Sequence, residues 1–241
     1  MSVHDLTTAQ RVLCVQPHYD DNDLGAGGTI TALAAGGATV AYLTVTDDLV
    51  GVLDETLSDA EASERLRAEQ HEAGRAVGVT EQRWLGLSDA GDWDYFELRH
   101  AIIVEMRRFR PDVVFTVDPW LPYEAHQDHL RVGRAVAEAS FLQRMKRLRV
   151  DPEPGGTWEP HEIAAVVFYF TREPNLCFDI SASREQKHRA IDAYRAQFTE
   201  DQLRLLHQGL DAKEREWAEA EPFSHGEALK VLAPGAFHVG L

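Results

Sequence analysis

Cysteine is scarce in this 241-residue chain: the two present, Cys14 and Cys177, each lie in an apolar run and form no C-x-x-C pair. That excludes a disulfide framework and a thiolate zinc site, and it reads both as core residues. Long apolar runs are missing as well. None approaches the roughly 20 residues of a bilayer-spanning helix, and Met1 to Arg11 lacks the basic-then-apolar layout of a signal peptide, so a cytoplasmic protein with no membrane partner is expected. Basic residues are few, 24 against 40 acidic ones, for a net charge of −16. Such a surface repels phosphate backbones, which argues against nucleic acid as a partner. Internal repeats are absent and no composition shift marks a boundary, so residues 1–241 are read as one domain.

What is present is a core-forming composition, 44% hydrophobic and 27% charged, which excludes intrinsic disorder. Short β-branched runs at Val12–Val15, Val40–Val45, Arg83–Leu87, Val113–Val117 and Ile163–Phe170 predict strands, with a further one at Leu176–Ile180. Helical spacing falls between them. Thr29–Ala35, Ser58–Val77, Phe96–Phe109, His126–Leu148, Ser183–Phe198 and Asp201–Ala220 are expected as helices, and the basic residues Arg144, Lys146, Arg147 and Arg149 read as the C-terminal cap of the fourth. Asp151–Pro160 reads as a loop. This alternation predicts a Rossmann-like three-layer α/β sandwich, with a mainly parallel sheet and helices on both faces. The helix Asp201–Ala220, charged nearly all round, reads as a wet surface, with a homo-oligomer contact left open.

In such folds ligands sit at the carboxyl ends of strands. The loop after the first strand reads Pro17-His18-Tyr19-Asp20-Asp21-Asn22-Asp23, and the one after the fourth contains His126-Gln127-Asp128-His129. Imidazole nitrogen and carboxylate oxygen are the ligands of a catalytic zinc, which takes three protein groups and leaves a position for water. His18, Asp21 and His129 form such a set, and residues three apart in a first helical turn let His126 face the same pocket as His129. Asp47-Asp48 and the remaining histidines read as solvated or capping groups.

These two motifs resemble the zinc-dependent de-N-acetylases of the PIG-L or LmbE-like family. That family's first motif reads His-Pro-Asp-Asp, running on to a Gly-x-Gly-Gly-Thr helix start, and is matched by His18 to Thr29. Its second, His-Pro-Asp-His, is matched by His126 to His129. The likeness runs on to about Gln197, with a similar tail at Glu221-Pro222-Phe223. It implies that His18, Asp21 and His129 hold zinc, or ferrous iron, that Asp20 is the general base, and that His126 is the electrophile or acid. A protonated His126 would then share the oxyanion with the metal, and Asp128 would orient a ligand histidine. The resemblance further implies substrate contacts from Arg67, with Arg65 as its rival, and from Asp89, while Trp120 and Tyr123 would stack on a pyranose at the mouth. Tyr19 and Gln127 stand where the family motifs carry proline.

The activity so implied is metal-dependent removal of the N-acetyl group from an N-acetylglucosamine-type sugar or glycoconjugate, a small neutral or cationic partner. The runner-up within the family is an amidase for a larger acyl group. From another class, the rival is a silent sugar- or metal-binding protein, against which Asp20 and His126 argue because a mere binding site needs neither base nor acid. Gly25-Ala26-Gly27-Gly28 invites a dinucleotide reading, which fails because residue 30 is Ile and three acids precede the glycines.

Overall fold

The computed structural model describes residues 5–150 and 159–238. Along the chain run β1 (Arg11–Gln16), α1 (Asp21–Ala35), β2 (Thr39–Thr46), α2 (Asp59–Val77), β3 (Glu81–Leu87), α3 (Tyr95–Phe109), β4 (Val113–Val117) and α4 (Gln127–Leu142). They are followed by β5 (Ala165–Tyr169), β6 (Leu176–Asp179), α5 (Arg184–Ile191), α6 (Glu200–Ala218) and β7 (Gly226–Leu232). The strands form one sheet in the order β3-β2-β1-β4-β5-β7-β6. β1 to β5 are parallel, and β7 is antiparallel to both its neighbours. The expected mainly parallel α/β sandwich is therefore the fold.

Continuous apolar strands make sense in this arrangement because both sheet faces are covered. Val12 and Cys14 of β1 pack into one core with Ile30 of α1, Leu66 of α2 and Ala190 of α5. Leu13 and Val15 face the opposite core, built with Ile102 and Met106 of α3 and Val132 and Val136 of α4. Local capping agrees with the pattern: the Ser58 hydroxyl accepts from Glu61 N–H while the Glu61 carboxylate accepts from Ser58 N–H, starting α2 where the sequence predicts.

From β1 the chain builds outward through β2 and β3, then crosses to β4 on the other side. The order reverses between β1 and β4, and a crevice forms at their carboxyl ends, the usual ligand position of a doubly wound sheet. Both chemistry-bearing loops open there.

Four local expectations are corrected. α1 starts at Asp21 rather than Thr29, so the glycines lie inside the helix. They are packing devices: a Cβ on Gly25 would sit 2.1 Å from the Tyr169 ring, and one on Gly28 2.7 Å from Ile180. α4 stops at Leu142 with no basic residue in its last turn. Arg107 of α3 reaches the carbonyls of Gln143, Met145 and Leu148 beyond that end, a role the sequence reading assigned to Arg144–Arg149. α5 ends at Ile191, and turns carry the chain to Phe198. β7 is a strand that the reading did not anticipate. Of the expected loop Asp151–Pro160, residues 151–158 lie outside the described ones.

Candidate active site

The β1–α1 loop is clamped at the peptide of Tyr19, a residue only 1% exposed. Its carbonyl accepts from Gln16 Nε2 (3.1 Å), Gln70 Nε2 (3.0 Å) and the Tyr194 hydroxyl (2.8 Å). Its N–H, which a proline would lack, donates to Asp48 Oδ2 at 3.0 Å. Buried donors demand acceptors, and Asp48 meets that demand. The second departure is milder, since Gln127 is the first residue of α4 and proline is common there only because that N–H has no partner in the helix.

Asp20 sits at the N-cap of α1 and Asp21 in its first turn, where the helix dipole favours carboxylates. Asp23 turns the other way, accepting from the hydroxyls of Tyr42 and Tyr194. Burial pushes its carboxyl up to about 6 against the pull of those two donors. It is a core group.

The two loops converge on Asp21. Its Oδ2 lies 3.3 Å from His18 Nδ1 and its Oδ1 3.4 Å from His129 Nε2. The ring of His126 stands 4.6 Å from that of His18 and 5.0 Å from that of His129. Behind His18 lie Asp89, Oδ1 to Nε2 3.3 Å, and the fully buried Asp128, Oδ2 to Nε2 3.7 Å. Asp128 is itself fixed by Ala90 N–H at 2.9 Å, so it faces His18. His129 has its own carboxylate, Glu124, whose Oε2 lies 3.2 Å from Nδ1 while Oε1 accepts from His126 N–H.

Charge is distributed unevenly through this cluster. Burial opposes protonation of His18, but the carboxylates of Asp128, Asp21 and Asp89 outweigh it and hold the imidazole far above its ordinary range. Asp21 is buried too, yet His129 and His18 draw it well below the usual carboxylate range. Asp20 goes the opposite way: burial, then the charges of Asp21 and Asp48, raise it strongly. His126 is lowered by burial and by its two histidine neighbours.

His18, Asp21 and His129 each present one ligand atom within 4.8 Å of the others. His18 Nε2 and Asp128 Oδ1 are buried without a hydrogen-bond partner. Two imidazoles, a carboxylate and orphaned polar atoms fit a divalent cation. The same test admits His18, Asp89, His126 and Asp128 as a second overlapping set.

Residues 13–140 match the family model described as PIG-L, GlcNAc-PI de-N-acetylase. The chain belongs to the PIG-L family. It is 35% identical over 95% of its length to the diacetylchitobiose deacetylase of Thermococcus kodakarensis, covering 85% of that protein. It is 27% identical over 75% of its length to a 1D-myo-inositol 2-acetamido-2-deoxy-alpha-D-glucopyranoside deacetylase of a Nocardioides species, covering 68% of it. The solved structure of the N,N'-diacetylchitobiose deacetylase of Pyrococcus horikoshii superposes with a TM-score of 0.90 at 32% identity, covering 97% of this chain and 88% of that one. These three relatives are deacetylases, hydrolases of amide bonds, and this chain is an enzyme of that class.

The remaining expected contacts divide. Arg67 stands close enough to the Tyr19 hydroxyl to lower its pKa against the rise from burial, and its guanidinium lies 5.4 Å from the Trp84 ring. Arg65 is instead tied to Glu69, Nε to Oε1 3.3 Å. Asp89 is at the cluster, as expected, with Oδ2 taking Val50 N–H at 3.1 Å. The ring of Trp120 packs on Phe168 and Phe237 and lines a cavity of about 380 Å³ that none of the three histidines lines. Tyr123 stands fully exposed. Sequence reasoning missed Glu124 and set Asp48 aside. Glu124 lies five residues before His129, a spacing with no helical meaning because α4 starts between them.

Proposed function

We propose that this PIG-L enzyme removes the N-acetyl group from an N-acetylglucosamine-type sugar or glycoconjugate by metal-dependent hydrolysis. The observation that carries the reading is the meeting of His18, Asp21 and His129 with Asp20 beside them at the sheet's switch point. When bound, a divalent cation such as zinc or ferrous iron supplies a Lewis acid that acidifies water and polarises the amide carbonyl.

The chain's own groups do the rest. Asp20, with its raised pKa, accepts the proton of the attacking water as its oxygen adds to the amide carbon. A neutral His126 donates an N–H to the developing oxyanion. The proton taken by Asp20 then passes to the departing nitrogen, the C–N bond breaks, and acetate and a free amine leave. Asp128 and Glu124 keep the rings of His18 and His129 oriented, the task of carboxylates behind metal-ligating imidazoles.

The test is metal content by elemental analysis, together with free-amine release from N-acetylglucosamine and diacetylchitobiose with and without chelator. About one metal per chain and chelator-sensitive release are expected. Metal without release would favour the larger-acyl amidase, and no metal after reconstitution with zinc or ferrous iron would overturn the reading.

A further inference from the structure

Asp48 follows β2 directly and is only 3% exposed, yet its backbone takes the left-handed conformation, φ 56°. A non-glycine residue is held in that strained conformation only when its surroundings require it. Its two oxygens differ. Oδ2 receives both Tyr19 N–H at 3.0 Å and Gln197 Nε2–H at 2.9 Å, tying the loop of His18 and Asp21 to β2 and to the segment after α5. Oδ1 has no donor among the described residues, and it is not sealed from solvent as the orphaned atoms of His18 and Asp128 are.

Gly51 makes room for the Gln197 amide that holds Oδ2: a Cβ there would stand 2.9 Å from Gln197 Nε2, while 3.7 Å from Oδ1 is ordinary contact. Tyr19 N–H on Asp48 Oδ2 and Val50 N–H on Asp89 Oδ2, at 3.0 and 3.1 Å, hold Asp48 between the loop of His18 and Asp21 and the carboxylate of Asp89. Asp89 has less to offer a ligand, since Oδ1 faces His18 and Oδ2 holds Val50 N–H. An open acceptor among so many carboxylates repels anions and suits a neutral hydroxyl donor.

We propose that Asp48 is a sugar-contacting residue: Oδ2 fixes the ligand loop, and Oδ1 accepts a hydrogen bond from a hydroxyl of the substrate's sugar ring. The proposal rests on the sugar-deacetylase reading above, and it adds a residue that decides for hydroxylated substrates.

Asp48→Asn separates the two oxygens. Two N–H donors at Oδ2 oblige the amide oxygen to take that place, which puts the NH₂ group where Oδ1 was. The loop stays held and the acceptor is lost. Expected for N-acetylglucosamine is a KM raised roughly ten- to a hundredfold, with kcat changed less and metal content unaltered. A series of monodeoxy N-acetylglucosamines sharpens this: one deoxy position should cost the wild type about tenfold in kcat/KM and cost the variant nothing further. Gly51→Ala is the second variant, for the case that Asp48→Asn loses metal or melts early; it keeps the carboxylate, sets a methyl 3.7 Å from Oδ1 and displaces the Gln197 amide that holds Oδ2, and should also raise KM. Unchanged kcat/KM in both variants of an active enzyme, or equal deoxy sensitivity in wild type and variant, would overturn the role of Asp48 alone. A wild type that neither binds nor deacetylates either sugar would remove the underlying reading, and this role with it.

Discussion

Two clusters of charge meet α1, one at its first turn and one near Gly28, and they are completed differently. In the second, Lys187 lies between Glu214 and Glu227, Nζ to oxygen 2.9 and 2.8 Å, and Arg184 closes on Glu214 at 2.8 Å. Glu227 also accepts the N–H groups of Gly28 and Thr29. Every charge there has an opposite charge within reach. The first cluster has carboxylates crowding one another, so that Asp20 is pushed up while Asp21 is pulled down. Buried ion groups that satisfy one another hold structure, whereas a group left short of a cation marks a place for one.

The comparison breaks most sharply at Asp20. Asp20→Asn should reduce turnover roughly a hundredfold or more while the protein stays folded and metalated, by amine-release kinetics beside elemental analysis. Activity equal to wild type would remove Asp20 from its role. The other cluster should respond in the opposite currency. Lys187→Met strands two buried carboxylates and should cost about 3–5 kcal/mol in urea denaturation, with metal content of the folded fraction unchanged. A smaller effect is expected with pH. The Glu214 carboxyl, ordinarily near 4.5, is opposed by burial but drawn down to about 2 by His188, Lys187 and Arg184. Its folded value lies below its unfolded one, so its contribution is complete above pH 4.5 and lost as pH falls toward 2. Glu214→Gln should remove roughly 2 kcal/mol of that acid dependence, allowing for solvent screening. A denaturation midpoint with the same slope in both proteins would refute the assignment. The smallest effect belongs to Trp120→Ala, which should alter kcat/KM for N-acetylglucosamine by less than about threefold, since the ring lines a different cavity. A loss of tenfold would return Trp120 to the sugar.

Much of the site was legible because its residues follow directly on strands that read as buried from composition alone. His18 comes two residues after β1, and the carboxyl edge of a parallel sheet is where such a residue meets others like it. What spacing could not carry was partnership across the fold. Asp48 is 29 residues from Tyr19 and 149 from Gln197, and nothing local distinguishes it from a solvated acid after a strand. Tyr19 shows the same limit in reverse: it stands where the family motifs carry proline, and the acceptor of the N–H that proline would lack is Asp48, 29 residues away. Trp120 was read from its nearness in sequence to His126, and its packing on Phe168 and Phe237 involves residues 48 and 117 positions later, which no local pattern announces. The glycines of α1 read as a loop because helix propensity penalises them, while the ring of Tyr169 and the side chain of Ile180 require them. β7 escaped because Glu227 and Lys230 interrupt its apolar residues, and the buried salt partner of Glu227 is 40 residues away.

Glu227 also bears on how the enzyme is made. It fastens α1 through the amides of Gly28 and Thr29, 199 and 198 residues earlier in the chain. A nascent polypeptide has synthesised both histidine motifs long before that carboxylate leaves the ribosome. The helix that carries Asp21 is thus expected to wait for β7, and a chain stalled short of it would expose imidazoles and carboxylates to any ion without the geometry to choose among them.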